Sequence, residues 1–303
     1  MYSQSRQQSG ANGTAHAEDV ELLRSLGYLS SGQASSNPKK SLSDPKDLIA
    51  QYESYGRALA LASASRLKES NVIFERLLLK NPQLLDVRMS LGLNKQRQGL
   101  HEEAARNFQQ VLQENPSNAM AHFNLAVSYF QLRKLSEAVK EAEAALGIAP
   151  NYTRADELLG NVFVQTKDYD RAGSHFRHML ETAPNDFSAH HNLGVLATIQ
   201  KKWPEARQHL SNALELEPEN AEAHNSMGSY AMYTGDLMSA AHEFGEALRI
   251  TPRFVGARYN LGLVLSKQGK TKEAAIQFQE ALAIDPNFKP ARDALTRMGA
   301  SNE

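Results

Sequence analysis

The chain has no cysteine, a single tryptophan (Trp203) and almost no net charge, with 33 basic residues against 34 acidic ones for a balance of −1. Without cysteine there is no disulfide, no thiolate metal site and no cysteine nucleophile, and either a reducing or an oxidising compartment fits. A field this weak does not concentrate polyanions, so neither nucleic acid nor anionic lipid is expected as a partner. No apolar run approaches the roughly 18 residues needed to span a bilayer, so no membrane span is expected. The opening MYSQSRQQSG lacks the apolar core of a secretory signal, which makes the cytoplasm the default location. Glycines form no phosphate cradle, and no carboxylate pair is placed for acid–base work.

What the chain does have is a period. Prolines 82, 116, 150, 184, 218, 252 and 286 stand 34 residues apart without a slip, and a fixed period of this length marks a solenoid. With each proline as residue 32 of its unit, the repeats are 51–84, 85–118, 119–152, 153–186, 187–220, 221–254 and 255–288. The eighth position then reads Ala58, Gly92, Ala126, Gly160, Gly194, Gly228, Gly262, and the twentieth reads Ser70, Ala104, Ala138, Ala172, Ala206, Ala240, Ala274. Small residues recurring inside helices imply close backbone approach. Large ones recur beside them: Leu91, Leu125, Leu159 and Leu193 at position 7, and Phe74, Phe108, Phe176, Phe244 and Phe278 at position 24. The two sets should interlock.

A Leu-Gly pair, then alanine, an aromatic and a closing proline make the chain resemble the tetratricopeptide repeat family. The resemblance implies an all-α, right-handed superhelical solenoid of seven helix-turn-helix units over residues 45–288, with a closing helix and tail over 289–303. Departures are Ser70 and Leu77 where the family prefers alanine, Ala142 in the aromatic column, and no tryptophan at the fourth position. Local signals agree. Asp44 caps a first helix that starts at Pro45 and runs to about Ala64, Pro204 follows Trp203 at the start of a second helix, and a closing helix spans Pro290 to about Met298.

Residues 1–44 are rich in Ser, Gln, Asn and Gly and read as a flexible tail. One island, EDVELLRSLGYL at 18–29, predicts a short amphipathic docking helix. Together with DPKDLIAQYESYGRALAL it resembles the junction between a bacterial sulfatase carboxyl terminus and an appended repeat array. No formylglycine motif accompanies it, so no sulfatase nucleophile is present. That likeness implies a detached accessory region, with a periplasmic or extracellular location.

Ten histidines are the remaining source of chemistry. His175 and His178 are spaced i,i+3, His190 and His191 are adjacent, and His122, His190 and His224 share the fourth position. An i,i+3 pair supplies at most two metal ligands, so surface or packing roles are expected, with no metal and no cofactor. The chain reads as a non-enzyme.

Function is then expected on the inner wall, where positions 2, 5, 9, 12 and 13 of each first helix share a face. Candidate peptide-binding residues are Phe123, Asn124, Val127, Asn161, His191, Asn192, Asn225, Tyr259 and Asn260. Phe123, Val127 and Phe130 form an apolar end. The asparagines at position 6 (Asn124, Asn192, Asn260), with Asn161 between them, can donate to and accept from a peptide backbone whatever its side chains. The expected function is a non-catalytic scaffold that binds an extended segment of another protein. The alternatives are a filament-forming protein assembling head to tail with itself, for which the sequons at Asn12 and Asn151 would matter on export, and the sulfatase accessory region. Family members that hold acidic chaperone tails do so with lysines and arginine, whereas the matching positions here are Glu157, Asn161, Asn192, Glu222 and Ser226, so no such binding is expected.

Overall fold

A computed structural model describes residues 45–300, and the expected tail helix at 18–29, its linker and the Asp44 cap lie outside the described residues. The described residues form fifteen helices and no strand. In chain order these are α1 (Pro45–Ser63), α2 (Leu67–Lys80), α3 (Leu85–Arg97), α4 (His101–Glu114), α5 (Ala119–Gln131), α6 (Leu135–Ile148), α7 (Thr153–Gln165) and α8 (Tyr169–Thr182). They continue with α9 (Phe187–Ile199), α10 (Trp203–Leu216), α11 (Ala221–Thr234), α12 (Leu237–Ile250), α13 (Val255–Lys267), α14 (Thr271–Ile284) and α15 (Lys289–Ala300). The closing helix therefore begins one residue before Pro290, and Pro204 is the second residue of α10.

Consecutive helices pack in pairs, and the size columns interlock as the period predicts. Phe74, Phe108, Phe176, Phe244 and Phe278 are each at most 1 % exposed. A methyl group added to Gly160 would lie 2.3 Å from Cε1 of Phe176, and one on Gly92 or Gly262 would lie 2.6 Å from its own unit's phenylalanine. Repeat 3 reverses the sizes: Ala142 stands in the phenylalanine column, Ala126 in the glycine column, and both are fully buried. At the other end of the array, Ala291 and Ala294 of α15 join Leu265 and Phe278 in one cluster, covering an apolar side that would otherwise meet water.

The departure at Ser70 has a polar cause. Its buried hydroxyl donates to the Ala58 carbonyl at 2.7 Å and accepts from Asn94 Nδ2 at 2.9 Å, while Asn94 also donates to Asn71 Oδ1 at 3.0 Å. Every polar group that this seam buries thus gains a partner, as burial requires.

Between units, the carbonyl of the closing proline meets position 4 of the next repeat. Arg88 donates to Pro82, Arg258 to Pro252 and Arg292 to Pro286, while the Nε2 atoms of His122, His190 and His224 reach Pro116, Pro184 and Pro218 at 3.0, 3.1 and 3.0 Å. These ties explain why histidine recurs at that position. Repeat 4 breaks the rule with Asp156, which cannot donate as a carboxylate. It accepts instead from Nδ1 of His175 at 3.0 Å and Nδ1 of His178 at 2.8 Å, and is itself only 1 % exposed.

Within each unit the turn places residue 15 in the left-handed region. Glycine serves at Gly99, Gly235 and Gly269, but Ser65, Arg133, Lys167 and Lys201 hold φ near +60° with a Cβ. That conformation costs an L-residue about 1–2 kcal/mol, partly offset by glycine's greater unfolded-state entropy. We therefore expect Arg133→Gly, Lys167→Gly and Lys201→Gly together to stabilise the array by about 1–3 kcal/mol, read as a raised urea midpoint. An unchanged or lowered midpoint would show that these side chains contribute more than the strain costs.

Among the described residues, consecutive first helices touch one another across units, α3 with α5, α5 with α7, α7 with α9, α9 with α11 and α11 with α13, whereas consecutive second helices make no comparable contact. First helices therefore form the inner wall. A crevice lined by Trp203, Pro204, Arg207, Gln208, Asn212 and Tyr230 separates α10 from α11 on the other side.

Candidate functional site

Each first helix presents the same positions to the inner wall. In repeats 4 to 6, positions 2, 5 and 6 are polar except at Leu158, whereas positions 9, 12 and 13 mix apolar residues such as Val164, Val195, Ile199 and Met232 with polar ones such as Asn161, Gln165 and Ser229. Val127, Phe130 and Val164 are half-buried, packed on the cluster built around Leu159 and Phe163. Ile199 and Tyr233 stand out further, at 45 % and 66 % exposure.

The expected site residues divide by what they already hold. Phe123 is 4 % exposed, its ring tilted on Tyr152 at 5.0 Å and covered by the Arg154 guanidinium at 4.7 Å, so the neighbouring repeat has taken up this part of the apolar end. Asn124 is 7 % exposed and donates to the Met120 carbonyl one turn back at 2.8 Å. Asn260 donates across units to Asn225 Oδ1 at 3.0 Å. Tyr259 packs tilted against Phe278 and edge-on against Phe288 in the terminal cluster, both at 5.6 Å. His191 lies 5.7 Å from Phe187, nearly parallel, and reaches Ser226 Oγ at 2.8 Å. Asn161 is exposed and Asn192 half-buried, and neither carboxamide has a hydrogen-bond partner among the described residues.

A rule that the sequence reading did not contain emerges from these contacts. Position 5 of one repeat bonds position 6 of the next: Tyr55 with Ser90 at 3.1 Å, His191 with Ser226 at 2.8 Å, and Asn225 with Asn260 at 3.0 Å. The signal was available as hydrogen-bonding side chains 35 residues apart. Repeat 4 places Glu157 at the same position 5, but that carboxylate has no hydrogen bond or ion pair among the described residues. Burial pushes its pKa up first, the Asp186 charge adds to this, and Arg154 opposes it.

By distance alone, His191 and Ser226 resemble a base and a nucleophile. Both sit inside helices, α9 and α11, where backbone N–H groups are committed to the helix. These backbone N–H groups are therefore not offered to an oxyanion beside the hydroxyl. Burial also pushes the His191 pKa down, against the opposing influence of Glu222.

A second imidazole is depressed nearby. His209 Nδ1 lies 2.9 Å from His190 Nδ1, whose other nitrogen faces the Pro184 carbonyl. One shared proton suits this pair, and an added one sets N–H against N–H. Burial first, then His190 and Arg177, push the His209 pKa down, with Glu205 opposing. For a base whose folded pKa lies below its unfolded value of about 6.5, the unfolded chain binds more protons. Stability is then full above about pH 6.5 and falls as pH drops through the folded value. We expect the melting temperature to decline as pH drops below about 6.5, and His209→Gln to shallow that decline. An identical slope in the variant would remove this pair as the cause.

Comparison with known proteins agrees with this architecture. The family described as tetratricopeptide repeat matches residues 89–153 and 225–287, and no enzyme family is indicated. The match leaves the sulfatase-like stretch at 18–65 without a counterpart. A tetratricopeptide repeat protein from Parabacteroides merdae ATCC 43184 superposes with a TM-score of 0.71 at 17 % identity, over 82 % of this chain and 99 % of that one. PilW, described as a widely conserved type IV pilus biogenesis factor, gives 0.64 at 18 % identity over 70 % and 99 % of the two chains. Pseudomonas aeruginosa pilF gives 0.60 at 18 % identity over 70 % and 97 %. At these identities the relatives establish the fold. No curated protein sequence matches the chain.

Proposed function

We propose that this tetratricopeptide-repeat solenoid is a non-catalytic scaffold that holds an extended segment of another protein along its inner wall. The observation that carries the reading is the contrast among the asparagines. Asn124, Asn225 and Asn260 are engaged in bonds within the array, whereas Asn161 and Asn192, on neighbouring first helices, keep both donor and acceptor free. A carboxamide with free N–H and C=O matches the two polar groups of a peptide unit. Two of them on adjacent helices can hold an extended backbone at two points, independent of its side chains. The half-buried apolar group alongside, Val127, Phe130 and Val164, supplies surface that gains by being covered.

The test is selection of random peptides of about twelve residues on the immobilised full chain, followed by fluorescence polarisation of the enriched peptides. Each carboxamide that loses its bonds should cost binding on the order of tenfold. Asn161→Ala with Asn192→Ala should therefore weaken binding by at least that much while leaving the melting curve in place, since neither side chain bonds the array. Enriched peptides that bind the double variant as well as the wild type would overturn the reading.

A further inference from the structure

An extended strand projects successive side chains to opposite sides, and around α7 the inner wall offers polar side chains at positions 5 and 6 and the apolar group Val127, Phe130 and Val164 at positions 9 and 12. A segment lying along the wall therefore sorts its odd and even residues between two chemistries. This deepens the groove-binding reading and rests on it. We propose that the register of the bound segment is set by a lysine or arginine side chain docking on Glu157, with apolar residues at the adjacent positions seated on Val127, Phe130 and Val164.

Glu157 is the one position-5 side chain among repeats 4, 5 and 6 that makes no tie to the next unit, since His191 and Asn225 both do. Its carboxylate is half-buried and has no ion pair or hydrogen bond among the described residues. Two charges face it from the elements packed around it. Asp186 uses its carboxylate to cap α9 at the Ala189 N–H, 2.8 Å away, and adds negative potential. Arg154 is the nearby cation, but its guanidinium lies over the Phe123 ring at 4.7 Å and forms no ion pair with Glu157. A half-desolvated anion without a partner is costly, and an incoming cation that can donate hydrogen bonds offsets that cost. The free carboxamides of Asn161, one turn further along α7, and Asn192, on α9, flank the carboxylate. The docked side chain and the backbone grip thus occupy one place.

The apolar half of the pattern follows from position. Val164 lies two turns from Glu157 on α7, and Val127 and Phe130 lie on α5; all three pack on one cluster. The residues on either side of the docked cation therefore face this group. A segment that alternates apolar and basic residues satisfies both sets, whereas an acidic segment meets Glu157 and Asp186 with like charge.

The closing experiment reads the sequences of the selected peptides and then their affinities. The expected result is enrichment of lysine or arginine flanked by apolar residues, with binding weakened about tenfold by Glu157→Gln. Glu157→Arg should abolish binding of those peptides and restore it to copies in which the basic residue is replaced by glutamate. Peptides that depend on Asn161 and Asn192 but show no basic enrichment, or that bind Glu157→Gln unchanged, would overturn this inference and leave the scaffold reading intact. Absence of any peptide that depends on Asn161 and Asn192 would overturn both. Glu157→Gln is isosteric, and an unchanged melting temperature separates lost binding from lost folding.

Discussion

Phe176→Ala should cost about 3–5 kcal/mol and split the unfolding of the array into two transitions. The ring is 1 % exposed at the centre of the largest cluster, which runs from Phe123 in repeat 3 to Leu196 in repeat 5. Emptying it leaves a cavity between α7 and α8, and a solenoid has few contacts beyond nearest neighbours with which to compensate. Gly160 fixes the sign of a second variant. Gly160→Ala alone forces a methyl group to within 2.3 Å of the ring and should cost about 1–3 kcal/mol. Once the ring is removed the methyl group has room, and alanine's helix propensity gains up to about 1 kcal/mol over glycine. The double variant should therefore be more stable than Phe176→Ala alone, which urea unfolding followed by circular dichroism would measure. Repeat 3, with Ala126 facing Ala142, already has that arrangement. Additive losses in the double variant would mean that the glycine column has a purpose other than making room for the ring.

Asp156→Ala should cost about 2 kcal/mol, a large amount for a polar side chain. Its two oxygens, themselves buried, accept from the partly exposed imidazoles of His175 and His178, and removing it leaves the less exposed His175 donor poorly placed while water reaches His178. Asp156→Asn keeps the shape and one acceptor, and offers an amide N–H to the other ring in its alternative tautomer. Its expected cost is about 1 kcal/mol. Equal losses in the two variants would show that side-chain volume, and not hydrogen bonding, is what the site needs. His175 and His178, read from sequence as surface or packing residues, are thus partners of an aspartate that replaces the usual proline tie.

The architecture was legible because it is periodic. Seven prolines in register and small columns such as Gly160 facing Phe176 showed where helices cross, and the first and closing helices, expected from Pro45 to about Ala64 and from Pro290 to about Met298, run from Pro45 to Ser63 and from Lys289 to Ala300. The commitments of the candidate inner-wall residues were not legible in the sequence. Whether Asn124 reaches a ligand or the Met120 carbonyl depends on rotamers and on the offset between units, neither of which a single repeat encodes. The same is true of Asn260 and Asn225. Glu157 drew attention only as a missing basic residue, and its isolation became visible once the bonds of its neighbours were known. Phe123 shows the opposite failure, since a large apolar residue on an inner face looks exposed until Tyr152, at the end of its own repeat, and Arg154 of the next are placed against it.

First helices touch along the inner wall while second helices stand apart, and this gives the array a mechanical asymmetry. Second helices pack only on first ones, so a pull on the two ends should spread the second helices from one another before it parts the inner wall. On the proposed reading, a segment held along that wall would keep its spacing against Asn161 and Asn192 while the outer side spreads.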